Sequence, residues 1–484
     1  MERRRRVVAA LLAAVLVMAA CSGAEGAKAA ERSEREPTPG ETAAGSAPPA
    51  AGAPGVGDPY YPGAGNGGYD VGHYALDLTW DPDAERLQAT ATLTATATQA
   101  LSSFSLDLAD VDVSTVTVDG VDAPWDGPAG GEMTVTPVEP LAGGAEFTIA
   151  VGYAATPLTA EGSDAFAPGW FGDGGEMFVL FEPNGAPTLF PVNDHPTDKA
   201  TYSFRITAPE SLEVAANGLL TGTEPGDGVK TWVYESTDPM ASYLVQVVIG
   251  DLEFEESAGP GGLPIRHAFD TGILGDVDPA VDRVGDMIAF YESRFGPYPF
   301  EAYGMVVVDV PLGLALETQT LSTFGTLLAE DEDVVAHELA HQWFGDDVSV
   351  ATWQDIWLNE GFATYSQWMW SEHDGGPTTD ERAADESANP ESYPLPPADP
   401  GAGQMFDGSV YVRGALTLHV LRHTIGDDGF FELLQTWVDR YGGDSASTAD
   451  FEALAEDVSG QELTPLFDAW LRAPAMPDLD DWLA

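Results

Sequence analysis

Cysteine is almost missing from this chain of 484 residues; Cys21 is the only one. A single thiol excludes any disulfide within the chain. Basic residues are scarce too, with 19 Lys+Arg against 79 Asp+Glu and a formal charge of −60. A surface of that sign repels phosphate backbones and anionic lipid headgroups, which excludes nucleic acid as a partner. The acidic excess is read first as an aid to solubility, of the kind found in secreted or salt-tolerant proteins. A weak pull on cationic substrates is the lesser reading. Long apolar runs are absent beyond Cys21, so no transmembrane segment is expected there. Histidine numbers only 8, which makes any clustering of imidazoles informative.

What is present begins with an export signal. Arg3, Arg4, Arg5 and Arg6 precede an apolar stretch from Val7 to Ala20. That stretch is too short to span a bilayer but has the length of a signal core. Ala19 and Ala20 then lead into Cys21 in a pattern resembling a bacterial lipobox, with Met18 where Leu is usual. Residues 1–21 are therefore expected to be a signal peptide lipidated at Cys21. An ordinary signal peptide with an incidental cysteine is the alternative. The expected location is extracytoplasmic, as a cell-membrane lipoprotein or else secreted, with the lipid anchor as the sole membrane contact. Residues 22–57 are mostly Ala, Gly, Pro, Ser and Glu and read as a flexible tether.

Hydrophobic residues make up 44% of the chain, enough for a sizeable core. Period-two patterning starts with Tyr74, Leu76, Leu78 and Trp80. It is nearly strict from Leu87 to Thr98, where Thr90, Thr92, Thr94, Thr96 and Thr98 share a face. Val116 and Val118 run into Asp119-Gly120, a hairpin turn signal. Residues 58–255 read as an antiparallel β-sheet domain of saddle or sandwich type. From 256 to 484 the spacing becomes helical, with helices expected over 281–295, 331–345, 355–371, 409–425, 428–441 and 449–457 and an apolar strand over 305–310.

His337-Glu338-Leu339-Ala340-His341 falls within the second of these helices. A spacing of four puts both imidazoles on one face, one turn apart, where they can share a metal ion. A following helix carries Glu360, 19 positions after His341. It can complete a His₂Glu set for one Zn²⁺, with the fourth position left to water. Glu338, next to the first His, is within reach of such a water. The opposing reading is a helix with two incidental histidines; the rarity of His and the presence of Glu360 argue against it.

With these residues in view, the chain resembles the aminopeptidase-N-type gluzincin metallopeptidases. The matching stretches are 337–345 (HELAHQWFG), 353–365 (WQDIWLNEGFATY), 315–320 (ALETQT), 411–422 (YVRGALTLHVLR) and 181–200 (FEPNGAPTLFPVNDHPTDKA). The likeness runs from 58 to 484. It implies an α+β chain with a β domain ahead of a thermolysin-like, mainly helical zinc domain, acting on peptide substrates. It implies Glu338 as general base, Tyr411 as donor to the oxyanion, and Glu317 and Glu182 as the carboxylates that read a free α-ammonium group. Tyr411, Glu317 and Glu182 are selected by the resemblance alone.

The chain departs from the family pattern at several points. Leu314, Leu316 and Thr318 stand where the family has Gly, Met and Asn, Leu180 where Gln is common, and Asp346 where Asn is usual. These changes bear on side-chain preference more than on the metal chemistry. Many relatives add a long helical domain after the segment that here holds Trp470, so the resemblance implies a more open site. His195 reads as structural. His419 and His423 share a helical face, but Arg422 and apolar neighbours favour packing or surface, and neither is assigned to a metal. Two other functions remain open at this stage: a zinc endopeptidase on the same fold, and a zinc-containing surface lipoprotein without catalysis. Intact Glu338 and Tyr411 argue against the second.

Overall fold

Tyr74, Leu76, Leu78 and Trp80 line the buried face of strand Tyr69–Asp81, as their alternation requires. The structure, a computed structural model, describes residues 48–158, 168–173, 175–273, 278–310 and 313–483. The expected signal peptide, Cys21 and the expected tether up to residue 47 lie outside the described residues.

Strand Tyr69–Asp81 sits inside an eight-stranded sheet. In sheet order the strands are Leu219–Pro225, Val229–Met240, Ala200–Pro209, Tyr69–Asp81, Arg86–Ala97, Glu146–Ala155, Val111–Val118 and Val121–Asp122. All neighbours are antiparallel except Ala200–Pro209 with Tyr69–Asp81, which pair in parallel. The threonine face of Arg86–Ala97 points outward while Leu87, Ala89, Ala91 and Leu93 are buried. Asp119 and Gly120, at φ 50° and 74°, close the expected hairpin by pairing Val118 with Val121. Two four-stranded sheets accompany this one. The one that matters for the site contains Gly169–Asp173, Glu176–Leu180, Val247–Gly250 and Glu213–Ala216.

Part of the stretch expected as a tether, residues 22–57, is paired. Ala50 and Ala51 form a short strand parallel to Leu101–Asp107, and Asp58 is buried. Backbone hydrogen bonds need no large side chains, so an Ala- and Gly-rich edge can pair where composition alone reads as coil. Asp58 is a staple. Its carboxylate accepts from the amides of Tyr60, Tyr61 and Trp353 and faces His195 Nε2 at 3.3 Å. Those bonds hold it down to about 2 against the opposing effect of burial. His195 is structural, as expected.

The change of character also comes slightly earlier than residue 256. Strand Leu252–Ala258 already belongs to a second, five-stranded sheet with Pro264–Asp270, Met305–Val308, Ser322–Gly325 and Ala315–Leu316. The three central strands are parallel and the two edges antiparallel. The helices of this half include α1 (Val284–Phe295), α2 (Glu332–Ala340), α3 (Trp357–His373), α4 (Thr379–Ser387), α5 (Gly414–Tyr441) and α6 (Thr448–Ser459). Gly426 interrupts α5 at φ 79°, between the two helices expected there.

Helix α2 begins where Asp331 caps the amide of Asp333. It stops at Ala340 rather than running to 345. Beyond it the amides of Asp346, Asp347 and Val348 turn back to the carbonyls of His341, Gln342 and Trp343, and Gly345 takes φ 129°. Lys199, from the β half, donates to the Asp346 and Asp347 carbonyls at 2.7 Å each. A half-buried cation from the other half thus fixes the turn that follows α2.

Candidate active site

His337 on α2 and His341 at its C-cap stand one turn apart, ring centroids 4.8 Å from each other. Glu360 is in the first turn of α3, and its Oε2 lies 3.2 Å from His337 Nε2 and 3.4 Å from His341 Nε2. A tetrahedral zinc with bonds of about 2.0–2.1 Å places its ligand atoms about 3.3 Å apart. The three side chains therefore fit that ion. His341 Nδ1 is 3.0 Å from the Phe344 carbonyl, which takes its N–H and leaves Nε2 as the bare nitrogen. Gln367 lines the same cavity as His337.

Helices α3 and α5 cross here at unusually close range. A Cβ built on Gly361 would lie 2.9 Å from the Gly414 Cα and 3.0 Å from its carbonyl carbon. Both neighbours are backbone and cannot rotate away. Glu360 precedes this crossing on one side and Tyr411 on the other, so the contact sets the distance between them. Gly361→Val is expected to cost about 1–3 kcal/mol of stability through overpacking and to lower turnover. Denaturant unfolding alongside zinc content checks this; unchanged stability would mean that the crossing can open freely.

Tyr411 sits in a π-helical turn, Ser409–Arg413, ahead of α5. Its ring stacks on His337 with centroids 6.0 Å apart and planes 20° apart. Burial, joined by Glu360, Glu182 and Glu317, pushes its phenol well above the usual range, so the group stays protonated and able to donate. The fully buried Arg413 anchors the turn. It donates to the carbonyls of Trp470, Leu395, Ala469 and Ala473 at 2.7–3.2 Å.

Glu338 and Glu317 flank His341, each offering an atom to a cluster within 4.8 Å. Burial, followed by the neighbouring carboxylates, lifts Glu338 well above an ordinary glutamate. Glu317 follows the edge strand Ala315–Leu316, and Gln342 Nε2 donates to its backbone carbonyl at 3.0 Å. Glu182 comes from the other half of the chain, just past strand Glu176–Leu180. Oxygens of Glu182, Glu317 and Glu360 lie within 4.8 Å of one another. Oε1 of Glu182 and Oε1 of Glu317 are both buried without a hydrogen-bond partner. Burial and then the charges of Glu317 and Glu360 push Glu182 well up. Orphaned carboxylate oxygens of this kind call for a cationic guest.

All seven expected site residues line one cavity of about 630 Å³, together with Leu180, Leu314 and Leu316. Thr318 does not join them; its hydroxyl faces Thr323 at 2.9 Å, inside the sheet. Asp346 is fully buried behind the site, with Gln342 Nε2 donating to its Oδ2 at 2.7 Å. Burial and then Glu317 push its carboxyl well above the usual range. A neutral acid can stand in for the amide usual at that position. Sequence reasoning missed Gln367, Gln342 and Arg413. Arg413 lies in a stretch quoted for the resemblance, but its partners are backbone carbonyls that no side-chain pattern marks.

Comparison with known proteins follows this geometry. The peptidase family M1 domain matches residues 280–470, and the peptidase M1 N-terminal domain matches 71–244. "Aminopeptidase 2, mitochondrial" of Saccharomyces cerevisiae is 28% identical over 323 residues, covering 61% of this chain and 34% of that protein. This chain thus spans about a third of the length of the first curated relatives it matches. An M1 zinc metallopeptidase of Deinococcus radiodurans, solved as a Glu-to-Ala variant bound to a Tyr-Ser-Ala substrate, superposes with a TM-score of 0.82 at 34% identity. The match covers 88% of this chain and 99% of that one. A two-domain M1 zinc metallopeptidase solved with L-arginine gives 0.81 at 34% identity, with the same coverage.

Proposed function

The chain belongs to peptidase family M1, and on that premise we propose that it is a zinc-dependent aminopeptidase releasing N-terminal residues from peptides. The observation that carries the proposal is the pair of orphaned oxygens on Glu182 and Glu317 beside the His337–His341–Glu360 set. A free α-ammonium group satisfies both by charge-assisted hydrogen bonds. Glu360 belongs both to that carboxylate cluster and to the metal set, so the amine docks close to the metal and little substrate fits between the two.

His337, His341 and Glu360 hold one zinc ion, which when bound acidifies water and polarises the scissile carbonyl. Glu338 takes a proton from the attacking water and passes it to the leaving amine; its raised affinity for protons suits both transfers. Tyr411 donates to the oxygen on which negative charge develops. Leu180, Leu314 and Leu316 give the first side chain an apolar wall. The bound tripeptide and amino acid of the two-domain relatives support a substrate with a free N-terminus.

Aminoacyl reporters with free and N-acetylated amines test this reading. Free reporters are expected to be hydrolysed at least about 100-fold faster, and a chelator is expected to stop the reaction. Equal cleavage of acetylated reporters or of internal bonds would make the enzyme an endopeptidase instead.

A further inference from the structure

Four of the chain's 8 histidines stand in two pairs spaced by four, and only the pair at 337 and 341 is used above. The other pair, His419 and His423, lies on the first half of α5, one turn apart, with ring centroids 4.7 Å from each other. Asp380, in the first turn of α4, meets both. Its Oδ1 is 3.0 Å from His423 Nε2 and 3.6 Å from His419 Nε2. These spacings bracket the 3.2 and 3.4 Å of the catalytic set and the edge of about 3.3 Å expected of a tetrahedral zinc. From this arrangement the geometry points to a second divalent-metal site, formed by Asp380, His419 and His423, that takes zinc or another borderline transition ion and keeps water on its open side.

A simple His–Asp ion pair at the surface does not account for His419. Its side chain is 1% exposed, and its Nε2 is buried without a hydrogen-bond partner. Nδ1 is turned the other way, 3.4 Å from the Tyr365 hydroxyl, so Nε2 is the nitrogen aimed at Asp380. Neighbouring charged side chains have hydrogen-bond partners of their own. Arg422 is bidentate to Asp427 at 2.8 and 2.9 Å, and Glu372 accepts from the amide of Thr379. The outer side is open, with Asp380 and His423 side chains 70% and 41% exposed over a cleft of about 240 Å³. Imidazole nitrogens with one carboxylate oxygen suit zinc, copper or nickel far better than calcium or magnesium. None of the three residues lines the catalytic cavity. The ion would clip α4 to α5 without entering the reaction.

The test is a zinc count. Full-length protein and an Asp380→Asn/His423→Gln double variant are equilibrated with micromolar free zinc, desalted and analysed by mass spectrometry of the metal. The wild type is expected to hold one zinc equivalent more than the double variant, with reporter hydrolysis unchanged. The same difference of one is expected in a His337→Gln background, which separates this site from the catalytic one. Equal zinc content in the two proteins overturns the proposal. So does loss of hydrolysis along with the ion, since the substitutions would then be acting through the fold. Both replaced side chains are at the surface, and the buried His419 is left in place.

Discussion

Replacing Glu338 with Gln is expected to lower kcat/KM about 100- to 10,000-fold, the range general acid–base catalysis supplies, while zinc content stays at the wild-type level. The expectation rests on a division of labour among neighbouring carboxylates. Glu360 Oε2 lies 3.2 and 3.4 Å from the two imidazole nitrogens and belongs to the ligand set. Glu338 instead shares its cluster with Glu317 and His341, one residue beyond the first imidazole. Gln has the same shape and still fills the space, so the cavity and the ion survive. What it cannot do is accept and return a proton. Metal analysis beside steady-state kinetics checks both halves. A variant within tenfold of wild type would remove Glu338 from the role of base, and a variant without zinc would show that it helps hold the ion.

Tyr411→Phe is the second large effect. It should lower kcat about 100- to 1,000-fold, comparable to the loss of one oxyanion donor, with KM much less affected. Phe keeps the ring stacked on His337, and the Arg413 anchor of the turn is untouched. Only the hydroxyl goes. Because its environment favours the protonated phenol, the donor is present across the whole neutral range. The loss should therefore be of similar size at pH 6 and pH 8. An unchanged kcat would leave the oxyanion to other groups.

The parts of this site that were legible in the sequence are those whose geometry is local. Four positions on a helix become one turn in space, so His337 and His341 could be paired from spacing alone. Glu360 needed only the existence of a next helix. Tyr411, Glu317 and Glu182 carry no such local mark, and only the family likeness selected them. The early end of α2 could not be foreseen, because the turn that follows it is held at the Asp346 and Asp347 carbonyls by Lys199, 147 and 148 positions earlier. Arg413 satisfies carbonyls up to 60 positions away. Ala50 and Ala51 pair through backbone groups that every residue carries, which is why composition misread them as tether. Arg422 and apolar neighbours make His419 and His423 read as packing or surface, and Asp380, which meets them, lies 43 positions before His423. Spacing alone could not bring it there.

The recognition pocket draws one carboxylate from each half of the chain, Glu182 from the β half and Glu317 from the helical half. Its width is therefore a property of the joint, and the staples across that joint, Asp58 and Lys199, act as calibrators. On the proposed aminopeptidase reading, a small slip between the halves would change how far into a peptide the blade falls without altering a single catalytic group.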